Sequence, residues 1–598
     1  MSAQQHLPET KAGHSHDGGA LTEWLVVAGL AVLSLVLGTY GFMDGLPGDG
    51  TKPQGMVEAF YNSMRLFHMH FEHAPEPLPL ELQAARFLAP LVLLATLIKG
   101  FVFAARRQHH SLLHLFKKQH VVICGLGQKG LALARQYRAQ NKWVLVIEKN
   151  PANELLATCE REGIFCRIGD ATDPAVLYQA RARHAREIIC VTPDDETNVR
   201  IALQLRSLKL PSGKERPEGF IHLENIHLRE RLQRQFAKDA AVPTGCALKF
   251  FDVYDGEARR VLQELPLDGQ GITANDPRTV HVAVLGFGRM GRSLALRAAK
   301  MGHFANGKKL RISVIDRLAE QHHQQLLFHY PILKTDDLCE LRCHQAAAQS
   351  LTALELVENW AAEKDTLLSV FVCLDDNPCA VEVGLRLQEA LANRPDARLC
   401  VRLKTVKSLE DVLKPVLPDG KRITPFGMVE NACCESAFRH EYHEAIARTL
   451  HEGYRQGMAK LRASGQIIPP RPAEVPWEEL REEFKESNRQ AADHIAIKAR
   501  ALGYRVGKLT DAKNGSTPIR TLTREQKRIL APMEHARWCA ERWLGGWLHD
   551  VNRDDDRHRH PDLLPWADLH DAERRIDHAQ IEQLADALAA DGLGIFPR

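Results

Sequence analysis

Two glycine-rich turns carry the most legible chemistry in this 598-residue chain. The first is VVICGLGQKG, with Gly125, Gly127 and Gly130, and the second is VAVLGFGRMG, with Gly286, Gly288 and Gly291. Each follows a short apolar run of β type and opens an apolar-periodic helix. In that context G-x-G-x-x-G makes a tight turn, lets backbone approach a pyrophosphate, and aims free helix-terminal amides at its oxygens. Glu148 ends the next strand, about 20 residues past the first glycines, where an acid can accept from the ribose hydroxyls of an adenosine. Asp316 ends the corresponding strand of the second unit, in RISVIDR.

Further pieces belong to the same cleft. IFCRIGDATDPAVLYQA reads as a third strand with Asp170 and Thr172 at its carboxyl end. EIICVTPDDETNVRIALQLR supplies a fourth strand, an acidic loop with Asp194 and Asp195, and Asn198 opening a helix. Open parallel sheets bind ligands at the carboxyl ends of their strands. The second unit repeats the acidic loop as SVFVCLDDNPCAVEVGLRL, with Asp375, Asp376 and Asn377. It has no counterpart of GDAT, and its third strand falls in ELRCHQAAAQS. A structural copy competes there with a second nucleotide site. Dehydrogenase chemistry would need a proton-relay group and a substrate domain; no convincing set exists, so the chain is not read as an enzyme and no catalytic residue is assigned.

A third constellation lies near the C-terminus: Trp538, Trp543, Trp547, Arg553, Asp554 and His560. Aromatic rings with arginine suit stacking on a base and pairing to a phosphate. A structural turn held by Arg553 and Asp554 is the competing reading. An internal repeat contains this cluster. At an offset of 89 residues, Ala447, Arg448, Glu452 and Tyr454 align with Ala536, Arg537, Glu541 and Trp543, and Trp477, Leu480 and Gly503 with Trp566, Leu569 and Gly592. One constant offset across separated blocks predicts a helical pseudo-two-fold domain made by duplication.

These cytoplasm-type modules follow two apolar segments. Leu21 to Met43 and Phe87 to Ala105 are each near the ~20 residues a helix needs to cross hydrocarbon. The first is too long, and its flank too weakly basic, for a signal peptide. Arg106, Arg107, Lys117 and Lys118 follow the second span, whereas the loop 44–86 is richer in acids, so the positive-inside rule places both termini in the cytoplasm. The tail 1–20 reads as disordered. Between the spans, residues 56–72 begin as an amphipathic helix re-entering the membrane. Glu72, with His68, His70 and His73, could ring a pore mouth. Lys99 either snorkels toward the cytoplasmic side or faces a pore.

The bulk properties exclude little else. A formal charge of +3 with no long basic tract argues against nucleic acid. The 13 cysteines form no C-x-x-C pair; Cys339 and Cys343 could share a helix face, but no metal site is assigned.

Three resemblances follow from these residues. The succession GxGxxG, strand-end acid, GDAT and T-x-D-D-x-T-N over about 120–265 resembles the TrkA-N family, the regulator-of-potassium-conductance (RCK) domains of channel gating rings. That resemblance implies NAD(H) or another adenine nucleotide at Gly125, Gly127, Gly130, Glu148, Asp170 and Thr172. The less certain second site would use Gly286, Gly288, Gly291 and Asp316. His535, Trp538, Gly546, Trp547, Arg553, Asp554, His560, Pro561 and Leu563 follow the H-x-x-W, G-W, R-D and H-P-x-L pattern of ryanodine-receptor repeat (RyR) domains. This implies a sensory module binding a small nucleotide through Trp538, Trp547, Arg553, Asp554 and His560. The two spans with a helix between them resemble two-helix potassium channels, although HMHFEHAPEP stands where T-V-G-Y-G would be, so potassium selectivity does not carry over.

The expected architecture is a two-span α-helical unit (21–118), two Rossmann-like doubly wound parallel sheets (119–270 and 279–437) and a mainly helical duplicated domain (438–598). The expected function is a homotetrameric, ligand-gated channel for monovalent cations in the inner-membrane lipid. A pore-less, membrane-anchored regulatory subunit of a transporter is the first alternative. A second-messenger-activated membrane effector in antiviral defence is the second.

Overall fold

In the computed structural model, the described residues are 16–44, 55–71, 78–113, 119–210, 216–238, 245–404, 423–427, 441–463, 465, 470–510 and 517–598. The chain divides into two compact units, Met1–Lys117 and Lys118–Arg598.

The first unit holds three helices: α1 (His16–Met43), α2 (Met56–Leu66) and α3 (Leu80–Leu113). Leu25–Met43 and Leu80–Gly100 are long and apolar enough to cross a membrane. Large side chains such as Val26, Val36, Phe87 and Leu97 stay more than half exposed on them, which suits a lipid-facing surface. α3 begins earlier than the hydropathy of 87–105 suggests and carries Pro90 within it. The short helix expected from residue 56 is α2, which buries Ala59, Ser63 and Leu66. Small residues allow the close packing. A Cβ on Gly38 would lie 2.8 Å from Ser63 Oγ, and one on Gly41 would lie 3.0 Å from the Leu82 backbone nitrogen. Ser63 donates or accepts with Thr39 at 3.1 Å, fastening α2 to α1.

The second unit contains two sheets of one topology. The first comprises β1 (Val121–Cys124), β2 (Val144–Glu148), β3 (Phe165–Ile168), β4 (Glu187–Cys190), β5 (Glu218–His222) and β6 (Ala247–Phe251), ordered β3-β2-β1-β4-β5-β6 and parallel throughout. The second comprises β7 (Thr279–Leu285), β8 (Arg311–Asp316), β9 (Glu340–Gln345), β10 (Thr366–Val372), β11 (Arg398–Arg402) and β12 (Ile423–Phe426), ordered β12-β11-β10-β7-β8-β9. Both follow the 3-2-1-4-5-6 dinucleotide-fold order, with the strand order reversing between first and fourth strands. Central strands such as β1 and β10 are buried along their whole length, as expected for parallel strands covered on both faces. The vague ELRCHQ stretch is indeed the third strand, β9. Cys343 lies within it and Cys339 just before it, so these two cysteines do not share a helix face.

The C-terminal region is mainly helical: Glu441–Ala463, Glu482–Ala501, Arg524–Leu544, Asp571–Glu582 and Leu584–Ala589. Its strands are β13 (Tyr504–Lys508), β14 (Leu548–His549), β15 (Arg559–His560) and β16 (Leu593–Pro597). β13 and β16 pair antiparallel with Val506 opposite Ile595. The sequence offset of 89 carries Val506 onto Ile595, its own partner. A pseudo-dyad therefore passes through that pair, as the internal repeat requires. Gly503 and Gly592 both enter these strands with positive φ, 79° and 69°.

Candidate functional sites

The first glycine turn sits at the carboxyl end of β1, before the first fingerprint helix (Gln128–Ala139). Its three glycines have different physical reasons. Gly125 has φ +106°, which a side chain rarely adopts. A Cβ on Gly130 would lie 2.0 Å from the Gly125 carbonyl oxygen, so the third glycine lets the helix pack on the turn. Gly127 has an ordinary backbone, φ −98° and ψ −170°, and a Cβ there would meet nothing within 4 Å. Among the described residues no protein atom excludes a side chain at that position, where glycine serves as the helix N-cap and leaves room for a ligand to approach. Gly127 also caps the helix without any side-chain bond, leaving its first amides available.

The acids around the turn are already at work. Glu148 Oε2 accepts from the Leu126 amide at 2.8 Å and Oε1 from the Asn150 amide at 2.8 Å. The carboxylate thus pins the glycine turn to β2, a role that sequence reading missed, while each oxygen keeps a lone pair. Asp170 accepts from the Thr172 amide at 2.9 Å and hydroxyl at 2.7 Å, and pairs with Lys149 at 2.8 Å. Those contacts with Lys149 and Thr172 hold its carboxyl down to about 2. Buried Asn198 ties the carboxyl ends of β4 and β5, donating to the Thr192 and His222 carbonyls at 3.1 and 3.0 Å. Gly125, Gly127, Gly130, Glu148, Asp170 and Thr172 therefore gather around the ends of β1 to β3.

The second turn repeats the arrangement. Gly286 has φ +93°, a Cβ on Gly291 would lie 2.1 Å from the Gly286 oxygen, and one on Gly288 would meet nothing within 4 Å. Asp316 accepts from the Phe287 and Leu318 amides, both at 2.7 Å. The difference is His322, whose Nδ1 lies 3.3 Å from Asp316 Oδ1 and crowds the acid. A single carboxylate connects the two turns: Glu224 pairs with Lys129 at 3.4 Å and with Arg289 at 2.7 Å, first-turn cations of the two fingerprint helices.

The C-terminal cluster lines a cavity of about 130 Å³ between the two repeat halves. Trp538, Trp547, Arg553 and His560 reach it; Asp554 does not, and instead caps an exposed turn by accepting from the Arg557 amide at 3.0 Å. Trp547 is 2% exposed, stacked on His558 at 4.9 Å and covered by the Arg542 guanidinium at 4.9 Å. It builds the wall, and half-buried Trp538 is the ring left to meet a ligand. Arg553 is held by Asp555 at 2.7 Å. Arg542, unnoticed in the sequence, lines the cavity; its Nη1 donates to Glu483 at 3.1 Å, and its buried Nε has no hydrogen-bond partner among the described residues. Arg471 and Arg537 also reach the cavity, Arg471 paired with Glu573 at 3.1 Å and Arg537 with Glu534 at 2.8 Å, and Asp562, Glu573 and Asp577 share the lining. Burial and the neighbouring Arg553 and Arg542 push His560 down to about 3, so it stays neutral. Burial and Glu573 push Asp562 up to about 7. Against its burial, Asp577 and Cys539 raise His535 to about 10; its ring bridges Asp577 at 3.2 Å and the Leu564 carbonyl at 2.8 Å.

Of the pore assignments, Lys99 is half-buried on α3, and Glu72 lies outside the described residues, as does His73. Among the described residues, no cluster of His, Cys, Asp and Glu could hold a metal ion.

Residues 121–212 match the TrkA-N domain, and residues 519–596 match the RyR domain. The chain carries both domains. Potassium channel protein 1 of Methanocaldococcus jannaschii is 29% identical over 89 residues, which are 15% of this chain and 27% of that protein. The chain thus spans about a quarter of the curated relative it matches. Among solved structures, GsuK bound to ADP is 17% identical with a TM-score of 0.37, covering 70% of this chain and 99% of that one. The GsuK channel bound to NAD is 15% identical with a TM-score of 0.38, covering 71% and 84%. The TrkA-N and RyR resemblances drawn from the sequence are borne out.

Proposed function

We propose that this chain is a ligand-gated, potassium-channel-like ion channel for monovalent cations, controlled by an adenine nucleotide at the first Rossmann cleft. The observation that carries the nucleotide is Gly127: a glycine whose Cβ would meet open space, beside uncapped helix amides, in a matched TrkA-N domain. NAD(H) or ADP would place its pyrophosphate at Gly125, Gly127 and Gly130, and its ribose at Glu148. Asp170 and Thr172 would close the cleft. The second cleft has the same glycines but His322 beside Asp316, and is the weaker site. The pore reading rests on two membrane-length helices with a short helix, α2, packed between them in sequence, and on the likeness to a potassium channel.

The chain would work as a homotetramer in the cell inner membrane, with both termini cytoplasmic, and with pore (21–118), RCK-like (119–270 and 279–437) and RyR-like (438–598) domains. The RyR cavity, lined by arginines and carboxylates together, would take a second small ligand carrying an anionic group. Its volume suits one ring or one phosphate group rather than a dinucleotide. Each ligand must bind one state of the assembly better than the other, since equal affinity shifts nothing. The absence of a T-V-G-Y-G filter favours a second reading, an anchored nucleotide-sensing subunit without its own pore. Ion flux from liposomes with and without nucleotide separates the two: nucleotide-dependent flux supports the channel, and binding without flux in oriented, folded protein supports the anchor.

A further inference from the structure

A cavity of about 340 Å³ lies between the two Rossmann lobes, apart from the glycines of both turns and from the RyR cavity. One wall is the carboxyl edge of the first sheet, where Asp195, Glu224 and Asp252 follow β4, β5 and β6. The facing wall is the second fingerprint helix, Arg289–Met301, with the end of the helix Ala319–His329. Arg289, Arg292, Ser293, Leu296 and Lys300 all line it, the spacing of a single helix face. A cavity of this size between two domains is large enough for a small metabolite.

Its charges fall into two groups. The carboxylates are all engaged. Asp195 accepts from the Glu224 and Asn225 amides at 2.9 Å each, and Glu224 holds Lys129 and Arg289. Asp252 pairs with Arg229 at 3.3 Å, and Asp255 with Arg297 at 2.7 Å. Two cations, Arg292 and Lys300, are left over. Among the described residues neither has an ion pair, and no hydrogen bond engages either side chain. The acids that act on Arg292 from a distance, Glu224 and Asp316, are held by other groups, and so is Asp255, the acid that feels Lys300. The Ser293 hydroxyl beside Arg292 likewise has no hydrogen-bond partner among the described residues. Burial and the like charge of Arg289 pull the pKa of Arg292 down, as expected for a cation without a counter-ion. A partly buried charge left uncompensated is unfavourable until an anion arrives. Arg292 and Lys300 are eight residues apart, roughly 12 Å along the helix, so they offer two points of attachment rather than one.

We propose that this cavity binds a small molecule carrying at least two phosphate groups, one on Arg292 and Ser293 and another on Lys300. Arginine forks and lysine ammoniums are the usual partners of such groups. Both lobes wall the cavity, so the occupant would favour the arrangement in which they are packed together. This site stands independently of the nucleotide and channel readings.

The test uses the full chain in nanodiscs of zwitterionic lipid and radiolabelled inorganic tripolyphosphate in equilibrium dialysis. The expected result is one site per chain whose affinity falls at least tenfold in Arg292→Gln and in Lys300→Gln. Ser293→Trp, which fills the cavity, should remove that site, and Gly127→Ala should leave it intact. Because neither cation has a protein partner, the two glutamine variants should keep the wild-type unfolding midpoint or exceed it. Tripolyphosphate should raise the midpoint of the wild type and not of Ser293→Trp. The proposal is overturned if no tripolyphosphate binds, if Arg292→Gln, Lys300→Gln and wild type bind it equally, or if Gly127→Ala abolishes the site. A lowered midpoint in both glutamine variants without ligand also overturns it, since the two cations would then serve the fold.

Discussion

Gly127→Ala separates a ligand requirement from a folding requirement. The backbone at Gly127, φ −98° and ψ −170°, is open to alanine, and the new methyl would meet no protein atom within 4 Å. The gain of about 0.4–1 kcal/mol from restricting the unfolded chain is opposed by the loss of a glycine N-cap, so stability should change by less than about 1 kcal/mol in either direction. The methyl would stand where a pyrophosphate approaches the turn. Displacing the phosphate costs about two charge-assisted hydrogen bonds to the helix amides, roughly 3 kcal/mol at about 1.5 each. At about 1.4 kcal/mol per decade, ADP or NAD affinity should fall roughly 100-fold. Gly130→Ala is the opposite case. Its Cβ would lie 2.0 Å from the Gly125 oxygen, a contact that backbone must move to relieve, so it should destabilise the fold itself. Calorimetric titration with ADP, beside thermal unfolding of the same samples, measures both effects. Wild-type affinity in Gly127→Ala would refute the placement of the phosphate at this turn.

Other substitutions and conditions test the remaining sites. Glu148→Ala should weaken adenine-nucleotide binding and also loosen the turn it pins, seen as faster hydrogen exchange at Leu126 and Asn150; slow exchange would refute the structural half. An anionic ligand in the RyR cavity should bind more tightly as pH falls through about 7, where Asp562 gains its proton, and Asp562→Asn should flatten that profile in a titration with inorganic phosphate. His281 and His560 are pushed by burial to about 3 and His303 to about 4, so the unfolded chain binds more protons below about 6.5. Their contribution to stability is therefore lost as pH falls from about 6.5 toward 4. Buried Asp252, raised to about 6, and Asp562, raised to about 7, partly offset it. The unfolding midpoint should drop between pH 7 and 5, and less so in His281→Gln; identical pH slopes would contradict the histidine assignment.

Much of this architecture was legible because its signals are local. The alternation of apolar strand, glycine turn and acid-ended strand fixes a doubly wound sheet, and both sheets take the 3-2-1-4-5-6 order. The repeat offset of 89 proved to be a pseudo-dyad through Val506 and Ile595. What escaped is what depends on contacts distant in sequence. Glu148 reads as a ribose acceptor, but its anchoring of the Leu126 amide needs the turn to be folded over β2. Trp547 reads as a stacking platform, yet His558 and Arg542 cover it, while Arg542, in an unremarkable helical run, meets the cavity. Asp554 belongs by pattern to the cluster, but its side chain turns to cap a loop. The Arg259–Asp493 pair joins residues 234 apart, beyond any periodicity.

The central claim is that nucleotide binding in the first Rossmann cleft controls ion passage through the two-span unit. Potassium flux should be measured from liposomes holding oriented wild-type and Gly127→Ala protein, with ADP, NAD or NADH titrated on the cytoplasmic side. The account predicts a flux that changes with nucleotide in the wild type, with the response displaced to roughly 100-fold higher concentration in the variant. Flux that is absent, or equal in both proteins at every nucleotide concentration, would contradict it.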